Sequence, residues 1–324
     1  MHPAFSVIFL TTLIGAGQGL FLALMTVQAY ADIGALTLPD GNYFGSNSML
    51  AVVLLVAGLG ASFFHLGHPE RAWRAASQWR TSWLSREVIA LPVFIGITFI
   101  YGLLHYFDFN PNLFGAGAPP QGELTYLVGL LGVAAAFALF VCTGMIYGCL
   151  KFLQEWNTAL TPINYTLFGI TSGFTLATAL AAAMAPGLVN FYGGWAIAFT
   201  VLVFITRGAS LIRNQRIKHR SSMRTAIGVR HAQIQQKAQG AMGGSYNTRE
   251  YFHGKTAAFL KSVKWIFLVL VFPLPVLLLV LGMENGASGL LWLAFATQYL
   301  GLIAERWFFF AQANHPQNLY YQTI

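Results

Sequence analysis

Apolar residues are gathered into eight long runs, and short polar segments separate these runs along the chain. A helix that crosses a membrane needs about 20 predominantly apolar residues, and the runs have about that length. The pattern predicts an all-α polytopic membrane protein with eight transmembrane helices in two four-helix bundles. The predicted helices span about 5–30, 48–66, 87–106, 124–153, 163–185, 191–212, 262–282 and 287–311.

The composition agrees with a membrane protein and indicates a single membrane domain over residues 1–324. Hydrophobic residues make up 56% and charged residues 9% of the chain, whereas soluble domains carry about 25% charged residues. Two prolines, Pro273 and Pro275, lie inside the seventh run. Proline removes a backbone donor and bends a helix, so a kink is expected there.

The basic residues predict the orientation. All 18 Lys and Arg residues fall on one side of an eight-helix topology, and the opposite loops, 31–47, 107–123, 186–190 and 283–286, contain none. Because basic loops stay in the cytoplasm, the N- and C-termini and the basic loop 213–261 are expected there, at a bacterial inner membrane. We expect this loop to dock a partner, since it has more charge and length than topology requires.

The stretch FHLGHPERAW, residues 64–73, closes the second run with polar groups. His65 ends this run and Glu87 begins the third, so both lie near one membrane surface. Ionisable groups at membrane depth mark functional sites, and an imidazole and a carboxylate exchange protons. Beside an apolar slot, this combination suits a quinone headgroup. The alternative is that the His65 side chain only extends to the membrane–water interface and that Glu87 only caps the start of the third helix.

Haem, metal and cluster sites lack ligands in the sequence. The eight histidines include no pair at one level of the apolar runs, which argues against a b-type haem. The two cysteines, Cys142 and Cys149, share one helix and are too few to hold a cluster. Transport remains an alternative, although polar residues within the runs, such as Gln18 and Gln298, are neutral and suit bonds between helices.

Three segments resemble one family of membrane anchors. They are HPAFSVIFLTTLIGAGQGLFLAL near the N-terminus, FHLGHPERAWRAASQWRTSWLSREVIALP, and the loop segment GAMGGSYNTREYFHG. Together they are similar to the dimethyl sulfoxide reductase anchor-subunit family over essentially the whole chain. The most specific part is the HLGxPxRA pattern followed by the SxE element that begins the third helix.

The resemblance implies a haem-free anchor that exchanges electrons between quinone, either ubiquinone or menaquinone, and an iron–sulfur subunit. That subunit serves a molybdopterin catalytic subunit, so the clusters and the molybdopterin belong to partners. In this family the His of HLG and the Glu of SxE are associated with the quinone site. The residues implied at the quinone site are His65, Glu87, Gly67, Arg71 and Arg86, and those expected to dock a partner are Arg74, Arg80 and Arg249.

The charge pattern separates two branches of this family. In the dimethyl sulfoxide reductase type the motif face is periplasmic, whereas the basic residues place it in the cytoplasm here. The loop with GGSYNTREYFHG also looks more like the anchors of quinone-linked sulfite dehydrogenases, which face the cytoplasm. The implied function is electron transfer from sulfite to quinone. The alternatives are an anchor that oxidises quinol, a scaffold without quinone chemistry and a transporter.

Overall fold

A computed structural model describes residues 1–115, 117, 119–218, 220–231, 233–234, 251–316 and 318. Within these ranges the regular structure is helical, apart from one isolated bridge between Asn112 and Glu123, so the all-α prediction is confirmed. The α-helices are α1 (Phe5–Asp32), α2 (Gly41–Ser62), α3 (Trp83–Tyr106), α4 (Leu124–Gly148), α5 (Leu160–Met184), α6 (Val189–Gln215), α7 (Met223–Ile227), α8 (Ala257–Val271), α9 (Pro273–Glu284) and α10 (Ser288–Ala311).

Seven helical segments of the described residues are long and apolar enough to cross a membrane, which makes this a multi-pass membrane protein. They are α1 to α6 and the combined segment α8 and α9. Helix α10 has 24 residues but is not among the seven. Its apolar character is weakened by Gln298, Glu305 and Arg306, all of which are buried.

The seventh predicted helix is interrupted where the two prolines lie. Helix α8 ends at Val271, and α9 begins at Pro273. Between them Phe272 has φ −109° and ψ −80°, outside the helical region. Proline cannot donate to the preceding turn, and its ring clashes with the carbonyl four residues earlier. The expected kink is therefore a break between two helices.

The helices pack in two groups of four, and α1 and α5 join the groups. The first group is α1 to α4, and the second is α5, α6, the interrupted α8–α9 pair and α10. A side chain on Gly19 or Gly173 would overlap the backbone of the facing helix. Small residues at such positions let transmembrane helices approach closely. The glycines therefore set the contact between α1 and α5.

Both ends of the described part of the protein lie at one end of the helix assembly. The amino group of Met1 donates to the Ala313 carbonyl at 2.9 Å, and Arg213, near the end of α6, donates to the Gln154 carbonyl at 3.0 Å. Residues 149–159 therefore lie beside the last turn of α6. Residues 63–82 join α2 to α3 at this same end. We call this end, with its Lys and Arg residues, the basic face.

Candidate functional site

The FHLGHPERAW stretch lies outside the helix that was predicted to contain its start. Helix α2 ends at Ser62, and the backbone continues as 3-10 turns over Phe63–His65 and Pro69–Gln78. Proline disfavours helical geometry in the residue before it, so Pro69 keeps His68 out of the helical region. His65 and Gly67 are exposed at the basic face. The described residues show no hydrogen bond between His65 and Glu87.

The arginines of this loop fall into two kinds. Arg71, Arg74 and Arg80 are exposed. The Arg74 and Arg80 guanidinium groups lie 5.6 Å and 5.3 Å from the ring centroids of the adjacent tryptophans, Trp73 and Trp79. Arg71 lies 3.6 Å from the carboxylate of Glu70 (Nε to Oε1), which is also exposed. These side chains are accessible at the basic face. Arg249 lies outside the described residues.

Arg86 is held by the loop itself. Its Nε donates to the Trp79 carbonyl and its Nη2 to the Arg80 carbonyl, both at 2.8 Å. The guanidinium group also lies 4.3 Å from the centroid of the Trp83 ring. Arg86 therefore fastens the end of the loop to the first turn of α3.

Glu87 is inside α3 and does not cap it. The helix begins at Trp83, and its N-cap is Ser82, whose hydroxyl accepts from the Ser85 amide at 3.4 Å. The alternative role of Glu87 as the helix cap is therefore wrong. The Glu87 side chain is turned into the protein, with the residue 7% exposed. Its carboxylate accepts a 2.5 Å hydrogen bond from the Thr143 hydroxyl of α4.

Glu87 lines a small cavity where five helices meet. The cavity has a volume of about 20 Å³, which is room for about one water molecule. Its walls come from α1, α3, α4, α5 and α10, and Thr143, Tyr165 and Arg306 are among its polar groups. Glu87 and these three residues lie four or five residues from the basic ends of their helices, or about 6–8 Å inside. Of the predicted site residues in the described ranges, Glu87 alone lines it.

A buried ion cluster adjoins this cavity. The Glu305 carboxylate lies 2.8 Å from Arg207 Nη2 and 2.7 Å from Arg306 Nε. All three residues are buried. Charges inside a membrane are stable when they pair with one another. The Arg306 guanidinium lies 3.9 Å from the centroid of the Tyr165 ring, and both side chains line the Glu87 cavity.

Sequence reasoning missed this cluster. The charge count used Arg207 and Arg306, like the other 16 Lys and Arg residues, only as topology markers. The available signal was the adjacent pair Glu305 and Arg306 inside an apolar run, together with an arginine inside the sixth run. With Glu87 ionised, the joined sites hold two carboxylates and two guanidinium groups. The positive and negative groups are therefore equal in number. The arrangement allows Glu87 to exchange a proton with a water molecule in the cavity.

Comparison with known proteins agrees with the resemblance. The model of the DMSO reductase anchor subunit (DmsC) family matches residues 1–312. The protein is 56% identical over 324 residues, covering 100% of both sequences, to the C subunit of sulfite dehydrogenase from Allochromatium vinosum. It is 27% identical over 136 residues, 41% of this sequence and 45% of the relative, to the C polypeptide of anaerobic dimethyl sulfoxide reductase from Haemophilus influenzae. The protein therefore belongs to the DMSO reductase anchor subunit family, as its motifs predicted.

Proposed function

We propose that the protein is the haem-free, quinone-reactive anchor of a molybdopterin and iron–sulfur complex that passes electrons from cytoplasmic sulfite to the quinone pool. The substrate is supported by the full-length identity of 56% to the C subunit of a sulfite dehydrogenase. The quinone chemistry rests on one observation. Glu87 is a buried carboxylate that lines a small cavity one to two helical turns inside the basic face.

The proposal includes α10 as the eighth membrane helix. Its 24 residues extend about 36 Å at about 1.5 Å per residue, enough for a hydrocarbon core of about 30 Å. Its buried Glu305 is paired with Arg207 of α6 and with Arg306 of the same helix. The bond from Met1 to Ala313 supports an even number of crossings. With eight, the positive-inside rule places the basic face in the cytoplasm at the bacterial inner membrane.

The groups that line the cavity suit proton transfer to a quinone, but the cavity is too small to hold the quinone ring. A quinone accepts two electrons and two protons, and the carboxyl, hydroxyl and guanidinium groups suit its carbonyl oxygens. The volume of about 20 Å³ suits a water molecule. A ring would enter the cavity only if lining side chains moved. We therefore assign Glu87 the transfer of protons at the inner edge of the quinone site, with Thr143 orienting its carboxylate.

A separate apolar groove lies farther from the basic face than this cavity. Its volume is about 310 Å³, and it is lined by residues of α1, α4, α5 and α6. Phe137 lines the groove and Phe140 lines the Glu87 cavity, with ring centroids 6.4 Å apart. The groove suits the isoprenoid tail of a quinone. The rings of Phe137 and Phe140 would then lie between this tail and the Glu87 carboxylate.

The exposed residues of the basic face serve the partners in this proposal. His65 exchanges protons between the quinone site and the aqueous side, and Arg71 stands beside it in the same loop. Arg74 and Arg80 dock the iron–sulfur subunit, as does the basic loop 213–261. The molybdopterin subunit binds through that subunit.

The test is Glu87→Gln in the assembled complex, compared with Glu284→Gln as a control. Glu284 is exposed at the other end of the assembly, at the end of α9. We expect Glu87→Gln to lower sulfite-dependent reduction of a soluble quinone analogue at least tenfold, with reduction of an artificial acceptor by the soluble subunits unchanged. His65→Ala is measured in the same way.

Normal quinone reduction by Glu87→Gln would remove this carboxylate from the mechanism. Equal loss with both acceptors would point to an assembly defect and favour a scaffold. The similarity to a dimethyl sulfoxide reductase polypeptide supports a second candidate, an anchor that oxidises quinol. A periplasmic basic face in reporter fusions would favour it over sulfite oxidation.

A further inference from the structure

A second cleft opens at the basic face, between the ends of three helices. It has a volume of about 300 Å³ and lies between the end of α6, the start of α8 and the residues that follow α10. Its lining is distinct from that of the Glu87 cavity, and no residue of FHLGHPERAW contributes to it. Five of its lining residues lie within the basic loop 213–261, and the docking role assigned to that loop does not require a cleft.

The cleft presents hydrogen-bond donors and positive charge. Lys261 and Lys264 line it and are three residues apart on α8, so they share one helix face. Asn214 and Gln312 also line it, and the amide nitrogens of both are buried without an acceptor. The Asn214 oxygen already accepts from Arg213 at 2.9 Å. A buried donor without a partner is costly, so these groups point to an acceptor that occupies the cleft.

One carboxylate also lines the cleft, and it is engaged elsewhere. Oε1 of Glu155 accepts from the Asn314 amide at 3.2 Å. Burial lowers the pKa of the Met1 amino group to about 6, and the charge of Glu155 opposes this shift by raising that pKa. The two lysines therefore outnumber the single carboxylate of the lining. The cleft remains suited to an anion.

The flanks of the cleft are apolar and exposed. Ile212 on α6 and Trp265 and Ile266 on α8 are exposed, and the inner wall contains Leu211, Leu260 and Phe308. The segment containing α8 and α9 has 28 residues, which at about 1.5 Å per residue exceeds a bilayer core of about 30 Å. Its first turns, with the two lysines, thus reach the level of the headgroups.

We propose that this cleft binds the phosphate headgroup of an anionic phospholipid from the leaflet at the basic face. The lysines and the two amide groups hold the phosphate, while the acyl chains lie along the apolar flanks. Basic pockets between helix ends suit such headgroups. A soluble acidic partner would match the charges but leave the apolar inner wall uncovered. The site is independent of quinone chemistry.

The test is lipid retention by the full-length protein in nanodiscs or by native mass spectrometry. Phosphatidylglycerol is compared with phosphatidylcholine for the wild type, for Lys261→Gln/Lys264→Gln, and for Lys218→Gln/Lys255→Gln. The last pair removes the same charge from exposed lysines that do not line the cleft. We expect the cleft variant alone to lose about tenfold in phosphatidylglycerol retention, with phosphatidylcholine unchanged.

Further arms distinguish the possible occupants. Inorganic phosphate at millimolar concentration is expected to leave the lipid bound, and its complete displacement would overturn the lipid assignment in favour of free phosphate. Loss of co-purifying soluble subunits with unchanged lipid retention would identify protein docking. Equal losses from the cleft variant and the control pair would show nonspecific attraction. If the lysine variant fails to fold, Gln312→Met removes one donor at similar volume and is expected to weaken retention severalfold.

Discussion

At the scale of single residues, Glu305 is the side chain on which the buried ion cluster depends. It pairs with both Arg207 and Arg306. Glu305→Gln would leave two buried guanidinium groups without a counterion, whereas Arg207→Met would leave a neutral pair. Removing one partner of a buried pair costs about 3–5 kcal/mol. We therefore expect Glu305→Gln to lower the Tm of the purified protein far more than Arg207→Met does.

Thermal unfolding in detergent, followed by tryptophan fluorescence, measures this difference. If Arg207→Met destabilised the protein as much as Glu305→Gln, the charge balance would not be what stabilises the cluster.

The same residues show what the sequence can specify at this scale. Glu87 was predicted as a site residue because a carboxylate near the start of an apolar run is unusual. Its hydrogen bond to Thr143 and its shared cavity with Arg306 were not predicted, because packing between helices sets which side chains face one another. Counting charges does not show how deeply each side chain is buried. The count therefore could not distinguish buried Arg207 from the exposed arginines of the loops.

At the scale of elements, the contact between α1 and α5 depends on glycine. A side chain at Gly173 would meet the backbone at Gly19 and Leu20. Overpacking of this kind costs about 1–3 kcal/mol and can displace helices. We expect Gly173→Leu to lower the Tm and the yield of folded protein. The matched control is Gly194→Leu on α6, where an added side chain would meet open space.

Gly169, one turn before Gly173, lines the Glu87 cavity. Gly173→Leu is therefore also expected to reduce quinone-dependent activity in whatever protein folds. If Gly173→Leu had a Tm as high as that of Gly194→Leu, the close contact between α1 and α5 would not be needed for stability.

The segment before α8 is expected to respond to pH through His253. Its Nδ1 accepts the Lys255 amide at 3.1 Å, which requires an unprotonated nitrogen. Burial, and secondarily the positive Met1 amino group, lower the pKa of His253. The docked segment therefore binds fewer protons than the released one. Its stability is complete above the ordinary pKa of about 6.5 and is lost as pH falls below it.

Hydrogen exchange over residues 251–255 at pH 5.5 and 7.5, corrected for the intrinsic rate, measures this effect. We expect faster exchange at the lower pH in the wild type and little pH dependence in His253→Gln. A wild type without pH dependence would rule out His253 as the titrating group.

Helix boundaries show why the elements were predicted better than their ends. The break at Phe272 followed from Pro273, because proline acts on local backbone geometry. The end of α2 at Ser62 was placed too late, because Phe63, Phe64 and Leu66 continue the apolar run in a non-helical loop. Hydropathy reports burial in the membrane region and does not report backbone conformation.

At the scale of the whole molecule, the number of crossings decides which partner the basic face can meet. Seven segments of the described residues satisfy length and apolarity together, and α10 carries buried charge that lowers its hydropathy. Within the protein, Glu305 is paired with Arg306 of the same helix and with Arg207 of α6. A helix that pairs its charges with a neighbour can cross a membrane despite a weaker apolar signal. The eight crossings predicted from the apolar runs remain a proposal, and this pairing supports it.

Reporter fusions on the two sides of α10 test this count. We expect a fusion after Gly286, between α9 and α10, to report the periplasm, and a fusion after Ala311 to report the cytoplasm. A fusion after Asp32, at the end of α1, serves as the periplasmic control. Equal signals at Gly286 and Ala311 would show that α10 does not cross. The C-terminus would then be separated from Met1 by the membrane, and the pairing of Met1 with Ala313 could not exist.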